Sequence, residues 1–200
     1  MKRIWPKLVI LALLCSPVPA WAGSSIPASI RNCTWCHGTG AQGYTVAPRL
    51  AGQRALYIEA QLHGYAAHFR DNPLSKQYMW GAAANLRPDA VQELADYFAS
   101  LPPKSAHDGR RALVETGQAI YLQGIPEANI VACLACHGPA GQGVREIPRL
   151  GGMSYFYLKR RLEEWGQGYH SAPESPMPLV ASTLGPDDIE ALASYLSFVR

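Results

Sequence analysis

One hexapeptide occurs twice in this 200-residue chain: Cys33-Thr34-Trp35-Cys36-His37-Gly38 returns as Cys133-Leu134-Ala135-Cys136-His137-Gly138, one hundred positions later. The match continues at the same offset. Gln42-Gly43 pairs with Gln142-Gly143, Pro48-Arg49-Leu50 with Pro148-Arg149-Leu150, and Gly52, Tyr57 and Leu62 with Gly152, Tyr157 and Leu162. After a two-residue deletion the offset becomes 98, which pairs Met79 with Met177, Leu86 with Leu184, Leu94 with Leu192 and Tyr97 with Tyr195. Solenoid units are about 20–50 residues long, so a period of this size means two copies of one small domain. The stretch from Leu101 to Arg110, with Pro102, Pro103 and Gly109, is expected to be an exposed, extended linker. The expected division is 23–103 and 104–200, with the linker at about 102–111.

Residues 1–22 are set apart from both copies. Lys2, Arg3 and Lys7 precede an apolar run from Leu8 to Leu14, and Ala20-Trp21-Ala22 precedes Gly23. A basic start, a short apolar segment and an A-x-A site are expected to form a secretory signal cleaved after Ala22, giving an exported, periplasmic product. The apolar run is too short to span a bilayer. Leu14 stands where a lipoprotein signal carries a small residue, which argues against lipidation of Cys15. The formal charge of +3 comes from 18 basic and 15 acidic residues, and the three cations of the signal account for the excess. A roughly neutral product makes a nucleic-acid or other polyanion partner unattractive.

The secondary-structure pattern is helical, with Gly/Pro loops and no convincing strand alternation, so the expected class is all-α. A helix is expected at about Arg54–Phe69, with Leu56, Ala60, His63 and Ala67 on one face. Pro88 and Pro186 each suit the first turn of a helix, and Val91, Leu94, Ala95 and Phe98 give the first of these an apolar stripe. A further helix, Ala112–Leu122, precedes only the second Cys pair. Its Gly117 and Tyr121 allow close approach to a neighbouring helix.

Two thiols one helical turn apart, followed directly by His, form the attachment signature of c-type haem. Each thiol can add to a vinyl group, and the imidazole then lies under the iron as the proximal ligand. Zinc ribbons separate their Cys pairs by about 15–20 residues. A redox dithiol or a structural disulfide gives no reason for His after both pairs. Two haems would consume Cys33, Cys36, Cys133 and Cys136, with His37 and His137 on the two irons. Met79 and Met177 are repeat-equivalent candidates for the opposite axial position, where a thioether favours ferrous iron and raises the potential. His63 and His68 are weaker rivals, because Glu163 and Gly168 stand at their places in the second copy. His107 sits in the linker, and His170 lies in a Gly/Pro-rich loop. Pro48 and Pro148 are expected to offer carbonyls to the proximal rings, and Arg49 and Arg149 to face propionates. Tyr57 and Tyr157 are either haem contacts or core.

With these motifs, and with Pro48-Arg49-Leu50-Ala51-Gly52-Gln53 and Pro148-Arg149-Leu150-Gly151-Gly152, essentially the whole exported chain resembles the dihaem cytochrome c4 family. The resemblance implies two tandem class I cytochrome c domains packed face to face, with axial pairs His37/Met79 and His137/Met177. It implies a periplasmic one-electron carrier, not an enzyme, working between a quinol-oxidising complex or dehydrogenase and a terminal oxidase. One alternative is the cytochrome subunit of a flavin-linked sulfide- or alcohol-oxidising dehydrogenase. Another is a dihaem peroxidase, which needs an open iron. One departure stands out: only Gly23 to Asn32 precede the first Cys pair, so the N-terminal helix of the first domain is expected to be truncated.

Overall fold

The computed structural model describes residues 28–170 and 175–200. The expected export signal and Cys15 lie outside the described residues. Those residues form α1 (Ala28–His37), α2 (Ala55–Ala66), α3 (Trp80–Ala83), α4 (Pro88–Ser100), α5 (Val114–Gln123), α6 (Leu134–His137), α7 (Tyr155–Gly166), α8 (Met177–Ser182) and α9 (Pro186–Phe198). Among them there are only isolated bridges, Ile125 with Ile130 and Val144 with Ile147, in place of strands. The class is all-α, as the pattern requires. No helix among the described residues is long and apolar enough to cross a membrane.

Two separate cores form. Ile30, Ala41, Ala51, Ile58, Leu94, Ala95 and Phe98 make the first. Ile120, Tyr121, Met153, Tyr155, Tyr157, Leu158, Ala191, Leu192, Ala193 and Leu196 make the second. Each is organised by its last long helix. In α4, Arg87 is extended, Pro88 opens the first turn, and Val91, Leu94, Ala95 and Phe98 are buried at the expected spacing. In α9, Pro186 repeats that start, and the Gly185 amide donates to Asp188 Oδ2 at 3.0 Å.

The helix expected at Arg54–Phe69 is shorter and turned differently. It ends at Ala66, because His68 takes a left-handed conformation at φ 62°. Its buried residues are Ile58 and Tyr65, with Leu62 packed beside the core, while Leu56 is 48% exposed. The two faces differ little in apolar content, and the core selects the one carrying the branched and aromatic side chains.

The halves differ most at α5. This helix crosses α9 so closely that a Cβ at Gly117 would run into the Ala191 carbonyl. Tyr121 is fully buried beneath the crossing, and its hydroxyl donates to the Gly138 carbonyl at 2.5 Å. Among the described residues the first half has no counterpart of α5, since α1 runs directly into Cys33, Cys36 and His37.

The linker is exposed but bound along its length. Gln42 donates to the Pro102 carbonyl at 3.0 Å and accepts from the Lys104 amide at 2.9 Å. On the other side Ser105 Oγ donates to the Val199 carbonyl at 2.7 Å, and the His107 amide to the Ser197 carbonyl at 3.0 Å. Asp108 then accepts from Ser154 Oγ at 2.7 Å and from the Tyr155 amide at 2.8 Å, capping α7.

Candidate functional site

Each Cys-x-x-Cys-His segment is helical at its histidine. In the first half α1 carries both cysteines and His37. In the second, Cys133 stands just before α6 and His137 closes it, its amide donating to the Cys133 carbonyl at 3.0 Å. The loop that follows doubles back in the same way twice. The amides of Gly43 and Gly143 donate to the carbonyls of His37 and His137 at 2.9 and 2.8 Å. Both glycines take positive φ, 80° and 72°, and a Cβ on either would strike the backbone around Pro48–Arg49 or Pro148–Arg149. That fold-back brings the Pro48 carbonyl 2.7 Å from His37 Nδ1 and the Pro148 carbonyl 3.0 Å from His137 Nδ1. A ring whose Nδ1–H is held by a carbonyl presents the Nε2 lone pair on its far side, as a metal-bound imidazole must. Burial pushes both rings below the ordinary histidine pKa and keeps them neutral, with the nearby Arg70 adding to the effect at His37.

Cys33, Cys36, Cys133 and Cys136 are free thiols, with no disulfide among them. Burial pushes Cys33 up, and raises Cys133 to about 11. These are protonated, unreactive thiols on their own. Four thiols in a chain read as exported serve better as attachment points than as a dithiol couple.

The two methionines are half-buried and differently mounted. Met79 closes a π-turn, Ser75–Met79, that runs into α3 and packs on α2. Single-turn π segments mark functional positions. This one is braced by Trp80 Nε1 donating to the Arg70 carbonyl at 2.9 Å, with Lys76 lying over the Trp80 ring. Met177 opens α8 between Pro176 and Pro178, and α8 packs on α7.

Between α2 and α7 lies a buried polar cluster that crosses from one half to the other. Arg70 donates from Nη1 to Gln61 at 2.5 Å and from Nη2 to the Tyr157 hydroxyl at 3.1 Å, while its buried Nε has no partner. Arg161 pairs with Glu164 and donates to His170 Nδ1 at 3.1 Å. Asn72 reaches Glu164 at 3.3 Å, and Asp71 accepts from the His170 amide at 2.7 Å. Burial, together with Arg70 and Arg161, pushes His170 down to about 3, so it is a neutral acceptor. Burial also drives the Tyr57 hydroxyl well above its usual range.

This cluster supplies the test of fit for a haem. Arg70 and Arg161 are both buried, the one buried carboxylate, Glu164, pairs with Arg161, and Arg70 has no carboxylate partner and an unpaired Nε. Buried cations need anionic partners, and a haem brings two carboxylates. With neutral, anchored imidazoles and free paired thiols, the residues present fit the group.

Arg49 and Arg149 both donate to main-chain carbonyls at the boundary between the halves. Arg49 is 5% exposed and donates to main-chain carbonyls: Lys104 at 2.6 Å, Gly152 at 2.7 Å and Gly151 at 2.7 Å. Arg149 Nε donates to its own Gly151 carbonyl at 3.2 Å. The physical reason is the fold-back, which aims position 49 across the boundary at main-chain carbonyls of the other half. Beside it, Gln53 donates to the Arg149 carbonyl at 3.0 Å and accepts the Arg149 amide at 2.7 Å. His63 and His107 are exposed, His68 stacks on Trp80 at 3.8 Å between centroids, and Trp35 is 85% exposed.

Sequence reasoning missed Arg70, Arg161, Glu164 and Gln53, although a signal for two of them lay in the repeat. Position 61/161 reads Gln then Arg, and position 70/170 reads Arg then His. One guanidinium per half is kept, at alternate places in the same pair.

A family model described as "Cytochrome c" matches residues 114–199. The chain is 37% identical over 194 residues to a "Cytochrome c-552" of Acidithiobacillus ferridurans, covering 94% of this chain and 84% of that one. It is 36% identical to a "Thiosulfate dehydrogenase electron acceptor" of Stutzerimonas stutzeri strain A1501, covering 100% and 97%. Among solved structures, the cytochrome c4 of Acidithiobacillus ferrooxidans superposes with a TM-score of 0.78 at 35% identity, covering 84% of this chain and 99% of that one.

Proposed function

This chain belongs to the dihaem cytochrome c4 family, and from that premise we propose which of its residues carry the redox centres and which partners it serves. It binds covalent haem c, and it is an electron-transfer protein, not an enzyme. Haem supplies a one-electron couple at iron when bound. Its attachment is assigned to Cys33/Cys36 and Cys133/Cys136, and its axial ligation to His37/Met79 and His137/Met177. The domains are 23–103 and 104–200, and the export signal of residues 1–22 places the protein in the periplasm.

The observation that carries the ligand assignment is the repeated anchoring of His37 and His137 to the Pro48 and Pro148 carbonyls. An anchored imidazole cannot swing away as iron changes charge. Propionate pairing is assigned to Arg70 and Arg161, and Arg49 to fixing one half against the other. Burial and axial capping favour electron transfer without ligand exchange.

The donor is a dehydrogenase or quinol-oxidising complex, and the acceptor a terminal oxidase. The relative named as the electron acceptor of a thiosulfate dehydrogenase, matched over 97% of its length, favours a dehydrogenase donor. Docking is transient and small in area, as redox encounters are.

Met79→Ala and Met177→Ala test the assignment. Each should lower the potential of one haem by on the order of 0.1 V, within the ~0.8 V range that axial ligands set. Each should also admit carbon monoxide to that reduced iron, which the parent protein excludes at neutral pH. An unchanged potential and spectrum removes that methionine from the ligand set. Co-purification with a catalytic subunit would identify the donor.

A further inference from the structure

The boundary between the halves carries a second charged feature, away from the Arg70–Arg161 cluster. A cleft of about 350 Å³ is lined by Arg49, Lys104, His107, Arg149 and Arg200, together with Pro103, Ser105 and Gly151. No Asp or Glu lines it, and the main-chain carboxylate of Arg200 is the one anionic group that a lining residue carries. None of its four Arg and Lys side chains has a carboxylate partner within ion-pair distance among the described residues, so the cleft gathers four cations with no ion-paired carboxylate to offset them.

Arg149 lies close enough to disfavour the charge on Arg49. Burial, and then Arg149, lowers Arg49 to about 10, and burial lowers Arg149. Arg49 is fixed by three carbonyls, so it cannot swing away from Arg149. Lys104 is fixed through its backbone to Gln42 and Arg49. Cations gathered in one cleft without carboxylate partners form the usual receptor for an oxyanion. The volume falls within the range of small-ligand sites, about 300–1,000 Å³.

We propose that this cleft binds a small divalent oxyanion of the sulfate, phosphate or thiosulfate type. The ion would be held by Lys104 and Arg149, with His107 and Arg200 at its rim and Arg49 behind it. The lining comes from the first half, the linker and the second half, so a bound ion ties the three together. It makes the fixed orientation of the halves depend on the anion content of the surroundings.

Calorimetric titration of the holoprotein with sodium sulfate, at ionic strength held constant with sodium chloride, tests this directly. The expected result is saturable binding of one ion per chain in the millimolar range, with sulfate, phosphate and thiosulfate competing for the same site. The double variant Lys104→Gln/Arg149→Gln should weaken binding at least about tenfold, because it removes the charge-assisted contacts. Lys104→Arg should keep it. The haem spectrum of each variant reports that it has folded, and Arg49 is left intact because it braces the halves. Heats no different from those of chloride, or full affinity in the double variant, would overturn the proposal. A haem carboxylate already occupying the cleft would give the first of these results.

Discussion

The two halves share a repeat yet close themselves differently. The second lays α5 across α9, with Gly117 against the Ala191 backbone and Tyr121 sealed beneath, hydrogen-bonded to Gly138. The first has no such helix among the described residues. It instead contributes Arg49 and Gln53, which grip the backbone of its neighbour at Gly151, Gly152 and Arg149. Duplication preserved the chemistry of the Cys-x-x-Cys-His loop and let the means of covering it diverge. One half is stabilised from within, and the other partly through its partner.

That contrast can be broken from either side. Gly117→Leu forces a side chain into the α5–α9 crossing and should cost the second half about 3 kcal/mol. Denaturant unfolding followed at both haems should then split into two transitions, with the second half melting first. Arg49→Ala strikes the other device. Removing charge-assisted bonds to buried carbonyls should cost about 2 kcal/mol, and the first half should be the one that loosens, as read by amide exchange in α2 and α4. Tyr121→Phe removes one of the two hydrogen bonds that the Gly138 carbonyl accepts, the Gly141 amide keeping the other, and should lower stability by about 1 kcal/mol, confined to the second half. Gln53→Met gives the first half the residue its repeat partner has at 153. It should cost about 1 kcal/mol, packing of the apolar Met side chain offsetting part of the three lost hydrogen bonds, with both haem spectra unchanged.

The helical class, both Cys-x-x-Cys-His loops and the close approach at Gly117 were legible from residue identity and spacing, because each depends on local chemistry. The α2 face was not. Leu56, Ala60, His63 and Ala67 fit a helical stripe as well as Ile58, Leu62 and Tyr65 do, and only the position of α4 decides between them. The role of Arg49 was illegible for a related reason. Its partners are carbonyls 102 and 103 positions away, and carbonyls leave no trace in sequence. The Arg70–Gln61 and His170–Arg161 exchange could have been read by aligning the copies, but its meaning required seeing both pairs meet in one buried place.

The one-sided grip of Gln53 has an evolutionary consequence. The second copy carries Met153 there and returns the grasp from a different place, Arg160 donating to the Val46 carbonyl at 2.9 Å. An ancestor assembled from two identical single-haem subunits would have needed self-complementary surfaces, and that symmetry has been lost. The two copies contact each other through non-equivalent residues, so deleting one half would leave the survivor with an orphaned face.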